Sequence, residues 1–278
     1  MNLVENYFFV PANKPRFLEK SLKLDAVNFR VLDFEDSVSE NDVENAIATV
    51  KNSKLKPTDW IRIPVLDGYQ GIASDLFNLG LTNVVIPKVK NKKHFDSIMN
   101  QLISINDQVQ VIVLVENAMT YIQLEDILKK WSSKIQGIGL GSHDFSAATK
   151  IQHSTKNLLP LRLQISLLAN AYGVAAIDIA SMNISDEKSY KEEIQSAYDL
   201  GYRSKFTIHP FQLKLLNGYQ FFTKEEVKDA ITVLKLFEEK ETTNEVVVKY
   251  KGKIYERPHI GNLRNINKWG VQYYGADW

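Results

Sequence analysis

Glu116 closes the apolar run "VIVLVEN", and Asp144 follows a second one in "GIGLGSHDFS". Carboxylates at two neighbouring strand ends would lie close enough to share one cation. A pair of carboxylates without a full protein cage suits Mg²⁺, which keeps several waters and takes further ligands from substrate oxygens. Arg62, within "WIRIP", carries the planar fork that grips a carboxylate through two parallel hydrogen bonds. Gly139, Gly141 and Ser142 let backbone approach a ligand closely and offer N–H donors to an anion. Metal, arginine and peptide donors together describe a site for a small 2-oxo acid. Chelation of the acid's carboxylate and oxo group would stabilise the enolate charge that carbon–carbon cleavage or condensation develops.

Other polar residues stand at comparable places. "RVLDFEDSVSE" runs from Arg30 into Asp33, Glu35 and Asp36. Ser39, with Asp42 three residues on, reads as the cap of the next helix. Lys88 ends "VVIPK", Asp178 ends "AAID", and His209 follows "FTI". Each alone has an ordinary structural explanation. A strand-end acid commonly caps a helix or shapes a turn, which is the reading given to Asp33, and a histidine before proline suits a turn.

Such residues act together only if the chain brings them to one place. Short apolar runs occupy Tyr7–Val10, Phe29–Leu32, Trp60–Ile63, Asn83–Ile86, Val109–Val115, Ile135–Leu140, Val174–Ile177 and Lys205–Ile208. Segments of helical periodicity separate them, for instance Val43, Ala46, Ile47 and Val50, or Ile98, Leu102 and Ile105. Met119, Ile122 and Leu124–Leu128 read as a further apolar stripe. Near-continuous apolar strands alternating with amphipathic helices predict a parallel sheet covered by helices. Eight units over roughly 200 residues predict an α/β (β/α)8 TIM barrel over residues 1–218, with its site at the C-terminal strand ends. The alternative, an open doubly wound sheet, lacks a G-x-G-x-x-G after the first strand. Residues 219–278 read as an extension, a lid or oligomer contact: a helix over Thr223–Glu241, a hairpin in "EVVVKYKGKIYERP" turning at Lys251–Lys253, and a short helix after Pro258.

Composition removes other classes of function. The chain has 34 basic and 33 acidic residues, so no global field points to nucleic acid or a membrane surface. With no cysteine, disulfides, thiolate metal sites and a cysteine nucleophile are excluded. The opening "MNLVENYFFVPANKP" lacks a basic region followed by a long apolar run, so no signal peptide and a cytoplasmic location are expected. No run approaches the roughly 18 apolar residues of a membrane span.

At these residues the chain resembles the HpcH/HpaI aldolase and citrate lyase β-subunit superfamily. "FFVPANKP" is similar to that family's F-V-P-G-N-x-P, "DAVNFRVLDFEDSV" to D-A-V-I-L-D-L-E-D-A-V, and "IRIPVLDG" to R-V-N-P-L-D-T. "VVIPKVKN" resembles V-x-P-K-V-E, "GIGLGSHDFSA" G-x-G-x-x-D-L-S-A, and "KFTIHPFQ" K-x-x-I-H-P-x-Q. "VLVEN" stands where the family has I-E-T, and "GKIYERPHI" resembles G-x-M-I-D-x-P. The resemblance implies a Mg²⁺-dependent barrel, a trimer or hexamer, acting on 2-oxo acids or acyl-CoA thioesters. It implies Glu116 and Asp144 as metal ligands, Arg62 as the carboxylate-binding arginine, and Glu35 and Asp36 as an acidic pair bordering the metal. Glu256 falls where many members place an aspartate lent to a neighbouring subunit's site. Departures from the pattern lie around these positions: Ala12 for glycine, Pro64 for asparagine, Asn117 for threonine, and His143 for a frequent glutamate.

Three functions are open on this basis. The first is a Mg²⁺-dependent carbon–carbon lyase or aldolase on a small 2-oxo acid or acyl-CoA thioester, with Gly141 and Ser142 lining the substrate. Lys14 and Lys88, beside Arg16 and Lys90, would supply positive charge for CoA phosphates. The second is thioester hydrolysis on the same site. The third is a non-catalytic subunit that binds metal and keto acid.

Overall fold

A strand buried on both faces must be apolar nearly throughout, and the eight runs meet that condition because a closed barrel covers them inside and out. The computed structural model describes residues 4–65, 68–241 and 247–275. Leu66 and Asp67 of "IRIPVLDG", and Glu245 and Val246 at the start of the hairpin reading, lie outside the described residues. The chain divides into two compact units, Val4–Asn217 and a C-terminal unit that begins at Gly218.

In the first unit the elements run β1 (Glu5–Pro11), α1 (Pro15–Leu22), β2 (Phe29–Asp33), α2 (Val43–Lys51), β3 (Trp60–Arg62), α3 (Tyr69–Asn78), β4 (Asn83–Ile86) and α4 (Lys92–Ile105). They continue with β5 (Gln110–Val115), α5 (Ala118–Ile122), α6 (Leu124–Trp131), β6 (Ile135–Leu140), α7 (Ser142–Thr149), α8 (Thr155–Tyr172), β7 (Ala175–Asp178), α9 (Glu187–Asp199), β8 (Ser204–Thr207) and α10 (Pro210–Asn217). The eight strands pair in parallel and close, β8 against β1. The expected (β/α)8 barrel is the fold.

Side chains alternate across each strand, so one set fills the barrel and the other meets the helices. Tyr7, Val31, Trp60, Val85, Ile112, Leu114, Ile177 and Phe206 pack together inside. β6 brings glycines to this interior. A Cβ at Gly139 would lie 2.4 Å from the Phe206 ring and 2.9 Å from Leu114. Gly139 therefore makes room for Phe206, and the expectation that it admits a ligand is corrected.

The outward set includes charges that neutralise one another. Arg162 Nε lies 2.9 Å from Asp178 Oδ1, and Lys205 Nζ lies 2.8 Å from Asp178 Oδ2. Lys205 Nζ also donates to the Ile179 carbonyl, and Tyr202 Oη to that of Arg162. Asp178 is thus turned from the barrel interior, which corrects its placement among the strand-end site residues. His209 takes the turn reading. It is exposed, and its Nδ1 accepts from the Phe211 N–H at 3.2 Å, shaping the start of α10.

Two helical expectations change. Ser39 precedes the short 3₁₀ turn Glu40–Asp42, but its side chain makes no capping bond there. Asp42 instead accepts from Asn13 and Asn45. Met119 and Ile122 lie on α5 and are exposed, so the buried stripe of that region begins at Leu124, with Ile127 and Leu128.

In the second unit α11 (Lys224–Glu241) is followed by the hairpin β9 (Val247–Tyr250) and β10 (Lys253–Glu256), then α12 (Arg257–Tyr274). The hairpin turns through Lys251 and Gly252, both with positive φ. α12 runs 18 residues, where a short helix was expected. Gly261, Asn262 and Asn265 are poor helix formers, yet Leu263 and Trp269 are buried. Gly270 lies against Val227 of α11, which a Cβ would approach to 2.2 Å. Packing overrides propensity in this helix. Among the described residues no helix is long and apolar enough to cross a membrane.

Candidate active site

The register of β2 on β3 sets Asp33 directly beside Arg62. Both belong to the inward-facing set, two residues beyond Val31 and Trp60. Arg62 Nε donates to Asp33 Oδ1 at 2.6 Å and Nη2 to Oδ2 at 2.8 Å. Asp33 is therefore the group that orients the arginine, not only a turn former, which corrects the expectation. The remaining edge of the guanidinium meets Glu35 Oε2 at 3.2 Å and Asp36 Oδ2 at 2.9 Å. Its carbon lies 5.0 Å from the Phe9 ring centre.

Glu35, Asp36 and Lys88 form one cluster. The Lys88 ammonium pairs with Glu35 and stands 3.4 Å from Asp36 Oδ1. Burial pushes the Glu35 carboxyl up, against the pull of Lys88 and Arg62. Burial also opposes the charge on Asp36, but Arg62, then a hydrogen bond from Glu35, then Lys88 hold its carboxyl below the usual range. Two adjacent acids thus have affinities for a proton pushed apart.

Glu116 follows β5 on the same inward face as Leu114 and is buried. The Lys88 backbone N–H donates to its Oε2. Lys88 holds a left-handed φ of 50°, a conformation uncommon for any residue but glycine, and in that conformation its amide meets Glu116. Burial, followed by the charges of Asp144 and Glu35, pushes the Glu116 carboxyl up to about 7. Asn117 caps α5 by accepting from the Thr120 N–H at 2.9 Å and donates to the Val89 carbonyl at 2.6 Å. It locks the turn after Glu116 to the loop after β4.

Asp144 lies in the first turn of α7. Ser142 begins that helix, and its Oγ lies 3.1 Å from His153 Nε2. The His153 ring in turn stacks on His143, with centres 4.0 Å apart. This Ser142–His153–His143 arrangement was not legible in the sequence, since His153 sits in a loop with no periodicity to place it.

Arg62, Asp33, Asp36, Glu116, Ser142 and Asp144, with Gly141 and His143, line one cavity of about 480 Å³ at the C-terminal ends of the strands. Glu35 and Lys88 line a neighbouring cavity of about 710 Å³, between the loops that follow β2 and β3, which Asp36 also borders. Lys14 is the exposed residue before α1 and is outside both sets. Glu256 belongs to the C-terminal unit, at the start of α12, where its N–H donates to His259 Nδ1 at 3.0 Å.

Among the described residues no group of three or more His, Asp or Glu side chains is placed to hold a metal. Glu116 and Asp144 nevertheless fit a hard divalent cation. They repel each other across the cavity, and Mg²⁺ is commonly held by one or two carboxylates plus substrate and water. Gly141 keeps that geometry, since a Cβ there would lie 2.5 Å from Glu116 Cγ and 2.8 Å from Oε1. Gly141→Ala is therefore expected to move the Glu116 carboxylate and weaken Mg²⁺ binding about 10–100-fold with little change in melting temperature. Titration calorimetry against Mg²⁺, beside a thermal melt, measures both.

The family model described as HpcH/HpaI aldolase/citrate lyase matches residues 6–210. The citrate lyase subunit beta of Leuconostoc mesenteroides subsp. cremoris is 25% identical over 281 residues, 94% of this chain and 91% of that protein. A (3S)-malyl-CoA thioesterase of Cereibacter sphaeroides is 25% identical over 266 residues, 92% and 90% of the two chains. Among solved structures, protein CitE from Mycobacterium tuberculosis in complex with magnesium, acetoacetate and coenzyme A superposes with a TM-score of 0.79. It shares 22% identity and covers 95% of this chain and 97% of its own.

Proposed function

The chain belongs to the HpcH/HpaI aldolase/citrate lyase family, and from that premise we propose a Mg²⁺-dependent carbon–carbon lyase or aldolase acting on a small 2-oxo acid or acyl-CoA thioester. One observation carries the reading: Glu116, Asp144 and an Asp33-oriented Arg62 face a single cavity at the C-terminal strand ends. Glu116 and Asp144 would hold the metal. A bound divalent cation supplies Lewis-acid stabilisation of the charge that develops on the substrate's oxygen as the carbon–carbon bond breaks or forms. Arg62, oriented by Asp33 through Nε and Nη2, would receive the substrate carboxylate on its Nη1 edge in place of Asp36 and Glu35, aided by the peptide donors at Gly141 and Ser142. Glu35, which burial keeps protonated to higher pH, and Asp36, held ionised, supply a coupled pair that can hold and pass a proton at the edge of the cavity. Lys88 positions this pair through its ammonium and Glu116 through its amide.

Glu256 would complete the site from a second copy of the chain, in a homotrimer or hexamer. Leu159, Leu163 and Leu167 support self-association, exposed at successive four-residue steps on α8. Lys14 remains a candidate contact for CoA phosphates.

Purified protein with Mg²⁺ is to be incubated with 3-hydroxyacyl-CoA thioesters whose hydroxyl-bearing carbon also carries a free carboxylate and, in the reverse direction, with acetyl-CoA and a panel of 2-oxo acids. Release of a 2-oxo acid together with an acyl-CoA supports the lyase. The malyl-CoA thioesterase relative favours hydrolysis as the second reading, recognised by free CoA thiol without a 2-oxo acid. Binding of Mg²⁺ and a 2-oxo acid without turnover would leave a non-catalytic subunit, and no Mg²⁺ binding would remove the site reading altogether.

A further inference from the structure

The cavity is polarised around the barrel. Its charged groups come from one arc: Asp33 and Asp36 from β2 and the loop beyond it, Arg62 from β3, Glu116 from the end of β5, and Asp144 after β6. The remaining arc, β7, β8 and β1, is contiguous because the barrel closes β8 on β1. It presents Phe9, Ala180, Met182, Phe206 and Ile208, joined by Leu114 of β5. The charged strand-end residues on that arc are turned away. Asp178 and Lys205 neutralise each other with Arg162 outside the barrel, and His209 faces solvent.

The charge balance runs the same way. Of the residues lining the cavity, Arg62 is the single lysine or arginine, against the carboxylates of Asp33, Asp36, Glu116 and Asp144. A divalent cation added to Arg62 still leaves the lining one negative charge in excess when all four acids are ionised. A substrate with one carboxylate has Arg62 and the metal to receive it. A second carboxylate would meet either the acidic arc or the apolar one, and the lining has no second lysine or arginine to compensate it; burying an uncompensated charge is costly.

Resting on the lyase or aldolase reading of this site, we infer that its 2-oxo acid is a monocarboxylate with an apolar substituent beyond the oxo carbon, held against the β7–β8–β1 arc, and not a dicarboxylate. The chemical class is that of pyruvate and its short alkyl homologues. The lining holds no second lysine or arginine to receive the 4-carboxylate of oxaloacetate.

The test is calorimetric binding of pyruvate, 2-oxobutanoate and oxaloacetate to the full chain at matched free Mg²⁺. One further methylene packed on the arc is expected to tighten binding about fourfold from pyruvate to 2-oxobutanoate. Oxaloacetate is expected to bind about tenfold more weakly than pyruvate. Met182→Lys, at an exposed position of the wall, is expected to bring oxaloacetate to at least the affinity of pyruvate by supplying the missing cation. Oxaloacetate binding as tightly as pyruvate in the unaltered protein, or 2-oxobutanoate binding no better than pyruvate, would overturn the inference and leave the lyase reading standing. If none of the three acids binds with Mg²⁺, the site reading fails and this inference with it.

Discussion

Glu116→Gln is expected to lower Mg²⁺-dependent turnover by about 100-fold or more, because even residues that only orient a metal's ligands commonly cost 10–100-fold in affinity or activity. Glutamine keeps the shape and removes the charge, so the variant should fold. The wild-type pH dependence identifies the same group. Its carboxyl is pushed up to about 7 by burial and by Asp144 and Glu35, and metal must displace that proton. Mg²⁺ affinity in the wild type should therefore rise about tenfold per pH unit below pH 7 and level off above it, and Glu116→Gln should flatten the profile.

Metal removal gives the complementary sign. Folding raises the Glu116 pKa above its ordinary value of 4.5, so the native state binds the proton more tightly than the unfolded chain does. The stability this contributes is full below about pH 4.5 and is lost as pH rises through 7, on the order of 3 kcal/mol. Mg²⁺-free protein should melt at a lower temperature at pH 8 than at pH 5.5, and Mg²⁺ should recover most of the difference by neutralising the ionised pair. A melting temperature of the metal-free protein that rises from pH 5.5 to pH 8 would mean that Glu116 is not the protonated group.

Asp178→Ala is expected to be the most destabilising single change, by about 3–5 kcal/mol. The substitution leaves Arg162 and Lys205 facing each other in the helix–strand layer, both at 2% side-chain exposure or less. Burial works against the Asp178 charge, and Lys205 and then Arg162 overcome it, holding the carboxyl below its usual range. At about 2–4 °C per kcal/mol for chains approaching this length, the melting temperature should fall by roughly 10 °C. Turnover per folded molecule, measured well below the melt, should change little, since Asp178 does not line the cavity. Replacing all three charged residues by apolar ones of similar volume should recover much of the loss, as a buried ion pair is often no more stable than good apolar packing. A large loss of turnover with an unchanged melt would return Asp178 to the site.

The barrel was legible in the sequence because its strands are buried on both faces and read as uninterrupted apolar runs between amphipathic helices. That Glu116, Asp144 and Arg62 stand at strand ends was legible for a related reason: charged residues at the ends of such runs stand out. The extension was read less well. α12 carries glycine and asparagines that hide its stripe, and its length is set by packing Leu263 and Trp269 in its own unit.

By themselves, the residues determined eight parallel strands and the types of group available at their C-terminal ends. The tertiary structure decided which of those groups face one another. Alternation along each strand gives two possible faces, and only closure of the barrel fixes which is inside. Val31 and Trp60 point inward and carry Asp33 and Arg62 with them, as Leu114 carries Glu116. Ile177 and Phe206 point inward too, and that places Asp178 and Lys205 outside. A strand-end acid thus becomes part of the site or of the framework by a shift of one residue, and a linear reading has no second strand against which to measure that shift.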